Sequence, residues 1–354
     1  MRKDTKTGRI VVAIASPLEI VYVNQITAVD HKRVRVLFRP DLLPPRRYIA
    51  DHTGPAGWTR TAGQHREWLD LLMQAEVLWD LPAGAQKPVL ELCPKLKWVQ
   101  TSSAGVGPAI KRAGLAETDV IVTTASGIHA APLAEFVFAS LLFHTKRIAQ
   151  LQERQRQRTW KRYCAGELRG QTLLVVGPGR IGREVARLGK AFGMRVIAAG
   201  SSENPGRRES LGVDEYVSRS GLDEALGQAD CVVLCCPITP DTEGMIGRQQ
   251  IAAMKPGVAL VNIARGAVID EVAMIEALVS GHIAFAALDV FQTEPLPQES
   301  PLWSMPNALV NPHSASTAYA ENERITEIFV ANLERFLDGK YDEMTPVLDK
   351  QRGY

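Results

Sequence analysis

The stretch Val175-Val176-Gly177-Pro178-Gly179-Arg180-Ile181-Gly182 decides the fold. An apolar run from 172 leads into it, and a helical pattern over 180–192 leaves it. A strand end, a glycine turn and a helix start follow one another at the spacing of a dinucleotide-binding loop. Gly177 permits the tight turn, Gly179 leaves bare backbone for a pyrophosphate, and Gly182 lets the helix pack closely on the strand. Arg180 and Ile181 open the helix, whose N-terminus offers amide donors and the positive end of a dipole. The spacing alone also occurs in ordinary βα turns; its place between strand and helix makes it a cofactor site.

Around this loop, apolar runs recur at 172–176, 195–199, 231–236, 259–263, 284–290 and 308–310. Helical patterns lie between them, at 180–192, 222–227 and 270–279. Strands alternating with helices predict a doubly wound parallel sheet, here of six strands. Upstream, the runs 10–15, 34–38, 75–79 and 96–100 repeat the rhythm, and 64–73 reads as a helix with Trp68, Leu71 and Leu72 on one face. The fold class is therefore α/β, in two lobes. An apolar helix starts near Ala130, and a segment with eight Lys/Arg follows over 146–169. That segment reads as a solvated or subunit-contact arm in preference to a nucleic-acid patch. The polar tail after Lys340 reads as loosely ordered.

Composition narrows the class. The chain has 354 residues, 41 Lys+Arg against 39 Asp+Glu, 45% hydrophobic and 23% charged residues. These values exclude a long disordered chain, a disulfide-stapled mini-protein and a fibrous repeat. A net charge of +2 argues against a nucleic-acid or anionic-membrane partner. No apolar run approaches the roughly 18 residues of a membrane span. The basic start before Ile10 leads into a first strand rather than a signal peptide. Five cysteines without a Cys-x-x-Cys pair, and without histidines at ligand spacing, argue against zinc. Free buried thiols in a reducing cytoplasm are the expectation.

The second strand of a dinucleotide fold normally ends in an acid that holds the adenosine ribose. Here the sequence is Ala198-Ala199-Gly200-Ser201-Ser202, with no carboxylate at the tip. Ser201 and Ser202 can donate hydroxyl bonds to a 2′-phosphate, and Arg207 or Arg208 can pair with it. NADP(H) is therefore the preferred cofactor expected, with NAD(H) possible.

Four ordered stretches carry a resemblance: 177–182; 254–271 with Asn262-Ile263-Ala264-Arg265-Gly266; Ala287-Leu288-Asp289-Val290-Phe291-Gln292-Thr293-Glu294-Pro295; and Asn311-Pro312-His313-Ser314. On these the chain resembles the D-isomer-specific 2-hydroxyacid dehydrogenases, which include the glyoxylate/hydroxypyruvate reductases. The match is dense from about 97 to 316 and thin before that. The resemblance implies a Rossmann cofactor domain over 103–316, inserted into a smaller flavodoxin-like substrate domain of 1–102 and 317–354. It implies an active site in the cleft between them, and a homodimer formed through the cofactor lobes. It implies cofactor contacts from Pro237 and Ile263, and from Asp289 on the nicotinamide side.

Reducing a 2-keto acid needs a cation for the carboxylate and carbonyl, an acid for the developing alkoxide, and a hydride donor. Arg265 follows an apolar strand, at the end where doubly wound sheets place ligands. His313 follows another strand end and suits proton donation and return. Glu294 would orient the His313 ring and favour its charged form. No metal is needed. Substrate-carboxylate amides are expected from Leu81-Pro82-Ala83-Gly84 and from Ser103-Ala104-Gly105. Two other readings compete: the same fold acting on formate or phosphite, and a dinucleotide-sensing corepressor or scaffold. The N-terminal length argues against a formate enzyme. The absence of long extensions argues against a scaffold, and the stop soon after Phe336 against the longer, regulated phosphoglycerate dehydrogenases.

Overall fold

The computed structural model describes residues 8–82, 87–202, 206–351 and 353. The chain divides into two compact units, 1–128 with 317–354, and 129–316.

The first unit is a five-stranded sheet of β1 (Ile10–Ile14), β2 (Val34–Leu37), β3 (Val77–Trp79), β4 (Trp98–Gln100) and β5 (Ile121–Thr123). The order is β2-β1-β3-β4-β5, with every pair parallel. β3 and β4 are buried throughout, as expected of strands covered on both faces. The helix Glu321–Leu337 brings the C-terminal part back to this sheet. Its Phe329 stacks on Trp98 with centroids 4.8 Å apart and meets Trp79 edge-on at 5.3 Å. The Trp98 indole N–H donates to Thr123 Oγ1 at 2.8 Å, so the buried ring keeps its polar partner.

Two expectations change here. The units part at 128/129 instead of 102/103, because β5 pairs with β4 and keeps 103–128 in the first unit. As far as Leu348 the tail is tied down: Val347 bridges antiparallel to Thr123, and Leu348 is buried and donates its N–H to Val122 O at 2.9 Å.

The second unit holds seven strands: β6 (Thr172–Val176), β7 (Arg195–Ala199), β8 (Glu215–Val217), β9 (Cys231–Leu234), β10 (Val258–Asn262), β11 (Ile283–Leu288) and β12 (Ala308–Val310). The order is β12-β11-β10-β9-β6-β7-β8, again all parallel. Alternate residues of β6 enter opposite layers, Leu174 and Val176 in one core cluster, Leu173 and Val175 in the other. The helix Arg180–Ala191 turns Gly182, Val185, Ala186 and Gly189 inward. A Cβ on Gly189 would lie 2.7 Å from Leu173 Cδ2, so glycine sets how closely the helix sits. β7 and β8 lie on one side of β6 and β9–β12 on the other, which puts the reversal of strand order at the end of β6. Ligands of open α/β sheets bind at such a point. The seventh strand, β8, is the one the apolar pattern did not predict; it is short, half-buried and at the sheet edge.

Candidate active site

The glycine loop turns between β6 and the helix Arg180–Ala191. Gly177 has φ of 94°, and a Cβ there would lie 2.5 Å from Cys236 Cα. A Cβ on Gly182 would lie 2.5 Å from the Gly177 carbonyl oxygen and 3.0 Å from Cys235 Sγ. Nothing stands within 4 Å of the place where a Gly179 Cβ would be, so that backbone is open. Two glycines close the loop and the third leaves it accessible, at the N-terminus of a 12-residue helix. This cradle fits a dinucleotide pyrophosphate. Arg180 and Ile181 form the first helical turn, with Arg180 exposed.

Beyond β7, Ser201 is exposed and Ser202 half-buried. Arg207 turns to the glycine loop, donating from Nη2 to Pro178 O at 3.2 Å, while its buried Nε has no partner among the described residues. Arg208 is exposed. Of the two arginines singled out, the structure places only Arg207 against the loop. Pro237, just past β9, is exposed and accepts from Thr242 Oγ1 at 2.6 Å, while Ile263 is buried at the end of β10.

Arg265, Glu294 and His313 follow the carboxyl ends of three neighbouring strands, β10, β11 and β12. His313 Nδ1 and Glu294 Oε2 are 2.8 Å apart. Glu294 Oε1 accepts from the Phe291 N–H at 3.0 Å, which fixes the carboxylate plane. The same loop presses on the turn after Arg265, since a Cβ on Gly266 would lie 2.0 Å from the Phe291 carbonyl group. Gln292 N–H is tied to Glu271 at 2.9 Å. Arg265 is exposed on extended backbone, and its Nη1 donates to Ala264 O at 2.7 Å. Asn262 bridges this turn, accepting from Ala264 N–H at 3.0 Å and donating to Arg265 O at 3.3 Å.

His313 has φ of 51°, in the left-handed region that a side-chain-bearing residue seldom adopts. Asp289 holds it there. This carboxylate is 2% exposed, and its Oδ1 accepts from Asn311 Nδ2 at 2.5 Å, Ser314 N–H at 2.8 Å and Ala315 N–H at 3.0 Å. Sequence reasoning gave Asp289 a cofactor contact and missed this clamp on the His313 loop. The Asp289 and Asn311 motifs were visible, but not that their strands are neighbours.

In the first unit, Ala104 is half-buried and Gly105 exposed on the loop between β4 and the helix Gly107–Arg112. Ala83 and Gly84 lie outside the described residues. Asp80, a residue the sequence did not single out, ties Leu81 to Ser102. Its carboxylate accepts from Leu81 N–H at 2.8 Å and from Ser102 Oγ at 2.7 Å. No group of three potential metal ligands occurs among the described residues. None of the described helices is long and apolar enough to cross a membrane. Cys93, Cys231 and Cys236 are buried as expected, whereas Cys164 is exposed.

Residues 138–315 match the family described as D-isomer specific 2-hydroxyacid dehydrogenase, NAD binding domain. The chain belongs to this family. A glyoxylate reductase of Korarchaeum cryptofilum is 36% identical over 263 residues, which cover 71% of this chain and 76% of the relative. A D-3-phosphoglycerate dehydrogenase of Mycobacterium bovis is 39% identical over 244 residues, 68% of this chain. The chain spans about half the length of that relative, 45%. The family structure from Aeromonas salmonicida superposes with a TM-score of 0.78 at 30% identity, covering 97% of this chain and 100% of the other. The family's α/β fold with a Rossmann cofactor domain is thus the fold of this chain.

Proposed function

We propose that the protein reduces a small 2-keto acid to the D-2-hydroxy acid, and catalyses the reverse reaction, with NADP(H) preferred over NAD(H). The observation that carries the reading is the His313–Glu294 pair at 2.8 Å, on strand ends beside the one bearing Arg265. The bound nicotinamide supplies or accepts the hydride. The glycine loop holds the pyrophosphate, and Ser201, Ser202 and Arg207 receive the 2′-phosphate, with Arg208 at the rim. Pro237, Ile263 and the free side of Asp289 border the cofactor.

Arg265 binds the substrate carboxylate and polarises the carbonyl oxygen. The Glu294 carboxylate accepts a hydrogen bond from the protonated Nδ1 of His313, which orients the ring and directs Nε2 to the reacting oxygen. Nε2 donates its proton as the alkoxide forms and recovers it in the oxidation direction. Ala104, Gly105, Ala83 and Gly84 contribute backbone amides toward the carboxylate. The set works without a metal, and the dinucleotide and the keto acid are the small-molecule partners.

The subunits pair through the second unit. Trp160 on the arm is 97% exposed and Tyr163 39% exposed. A hollow of about 890 Å³ bordered by Arg147 and Gly166 opens beside the arm. Sedimentation at micromolar concentration should give a dimer, and only monomer would contradict it. The free thiols support a cytoplasmic location.

The deciding experiment is steady-state oxidation of NADPH and NADH with glyoxylate, hydroxypyruvate, pyruvate, phenylpyruvate and branched-chain keto acids. Turnover with at least one, and a higher kcat/KM with NADPH, is expected. No turnover with any of them refutes the activity; faster turnover with NADH refutes the cofactor preference alone.

A further inference from the structure

Position 200 is glycine for reasons of space. It is not among the residues with left-handed backbone, so its φ does not demand glycine. A Cβ there would lie 2.8 Å from the Tyr216 hydroxyl oxygen and 3.2 and 3.3 Å from Pro178 Cδ and Cγ. Tyr216 comes from β8, the edge strand, where it is paired with Ala198 of β7. Its hydroxyl reaches past Gly200 and makes two bonds to one residue. It accepts from the Ser202 N–H at 3.2 Å and donates to the Ser202 carbonyl at 2.9 Å. Gly200 N–H also donates to Val217 O at 3.1 Å, so the turn is held from the same strand at both ends. Pro178 is the shared wall: its ring faces Gly200, and its carbonyl accepts from Arg207.

Resting on the NADP(H) reading above, we infer that Tyr216 is a positioning residue for coenzyme choice: its hydroxyl occupies the room an acidic side chain at 200 needs, and locks the Gly200–Ser202 turn. An acid at position 200 cannot simply be added. It requires the Tyr216 hydroxyl to shift, which disturbs its two bonds to Ser202 and loosens that end of the turn that carries Ser201. The two coenzyme preferences are thus alternative packings of one small volume, one filled by a tyrosine hydroxyl and the other by a carboxylate. The absence of an acid and the presence of Tyr216 are one feature.

The test is a double-mutant cycle of Gly200→Asp and Tyr216→Phe in the full chain. Dissociation constants for NADPH and NADH would be measured by calorimetry, with the melting temperature of each variant recorded. Tyr216→Phe removes one oxygen and keeps the ring, so it preserves the edge strand. It should lower the ratio of NADPH to NADH affinity by about 5–10-fold, the effect of losing hydrogen bonds that order a turn. Gly200→Asp alone should weaken NADPH without tightening NADH. The double variant should bind NADH about tenfold more tightly than Gly200→Asp alone, the non-additivity of residues sharing one space. Additive effects, or a Tyr216→Phe variant that weakens both coenzymes equally, would overturn the proposal and leave Tyr216 a packing residue. A wild-type protein that binds NADH more tightly overturns the coenzyme reading itself, and the wild-type constants alone reveal it.

Discussion

Arg265 and His313 carry separable parts of the proposed chemistry, and single substitutions should separate them. Arg265→Ala should lower kcat/KM by about 10²–10³-fold, as loss of a charge-stabilising donor does. Arg265→Lys should recover part of this, because the charge remains and the planar fork does not. Unchanged keto acid reduction in Arg265→Ala would remove it from the site. His313→Ala should lower kcat by about 10²–10⁴-fold with coenzyme affinity retained, and Glu294→Gln should be milder; equal loss of coenzyme binding would make His313 structural. These residues were legible because each sits in a motif at a strand end. The distances among them were not, since hydrogen bonds between separate motifs depend on strand order. Asp51 gives a residue-scale test of stability. Its side chain is fully buried and accepts from Arg47 Nε at 2.7 Å, Arg47 Nη2 at 2.9 Å and Gly54 N–H at 3.0 Å. The Arg47 guanidinium and these amides hold its carboxyl well below the usual range. A depressed folded-state value means the stabilisation is full above the unfolded value of about 4 and fades as pH falls below it. Asp51→Asn should therefore cost about 1–3 kcal/mol at pH 7 and progressively less below about pH 4. Urea midpoints of both proteins from pH 3 to 7 check this, and a gap that persists unchanged to pH 3 would show the carboxylate unpaired in solution.

Among the elements, strands with continuous apolar runs were read almost to the residue. The two missed, β5 and β8, span three residues each. Glu215-Tyr216-Val217 is half-buried and carries a charge, so no apolar run marks it. The omission matters, because β8 delivers Tyr216 to the Gly200–Ser202 turn. The ends of β11 and β12 form one device. Asp289, past β11, binds the side chain of Asn311 and the amides of Ser314 and Ala315, all past β12. It thereby keeps His313 in a backbone conformation that costs about 1–3 kcal/mol if unsupported. Asp289→Ala removes Oδ1, the acceptor of all three of these bonds. The loop should then lose its left-handed turn part of the time. Kcat should fall by about 10–100-fold, while the dissociation constant for the keto acid, whose proposed ligand Arg265 follows another strand, changes less than threefold. Stopped-flow single-turnover measurement separates the two. A variant in which only coenzyme affinity falls would assign Asp289 to the cofactor instead of the loop.

At the scale of the whole molecule, the doubly wound character of both units was legible, because each alternates buried strands with helices. The boundary was not. Residues 103–128 follow β4 without a change in composition, and only the pairing of β5 with β4 assigns them to the first unit. The cysteines turn this division into a measurement. Cys93 lies in the first unit, and Cys231, Cys235 and Cys236 in the second. Burial pushes the Cys93 and Cys231 thiols up to about 12 and Cys236 up to about 11, and raises Cys235 as well. Thiolate is the reactive form, so at pH 7.5 these four should resist a maleimide until their unit opens, while exposed Cys164 reacts at once. Labelling in rising urea, read by peptide mass spectrometry, then reports the opening of each unit separately. A coenzyme held by the glycine loop stabilises the second unit by about 2.7 kcal/mol at a hundredfold excess over its dissociation constant. It should move the labelling of Cys231, Cys235 and Cys236 to higher urea. Cys93 should move less, because its cluster of apolar residues belongs to the other sheet. Equal protection of Cys93 would show that the two units open as one cooperative body. No protection of Cys235 and Cys236, which line the turn against Gly177 and Gly182, would show that the coenzyme does not bind at this loop.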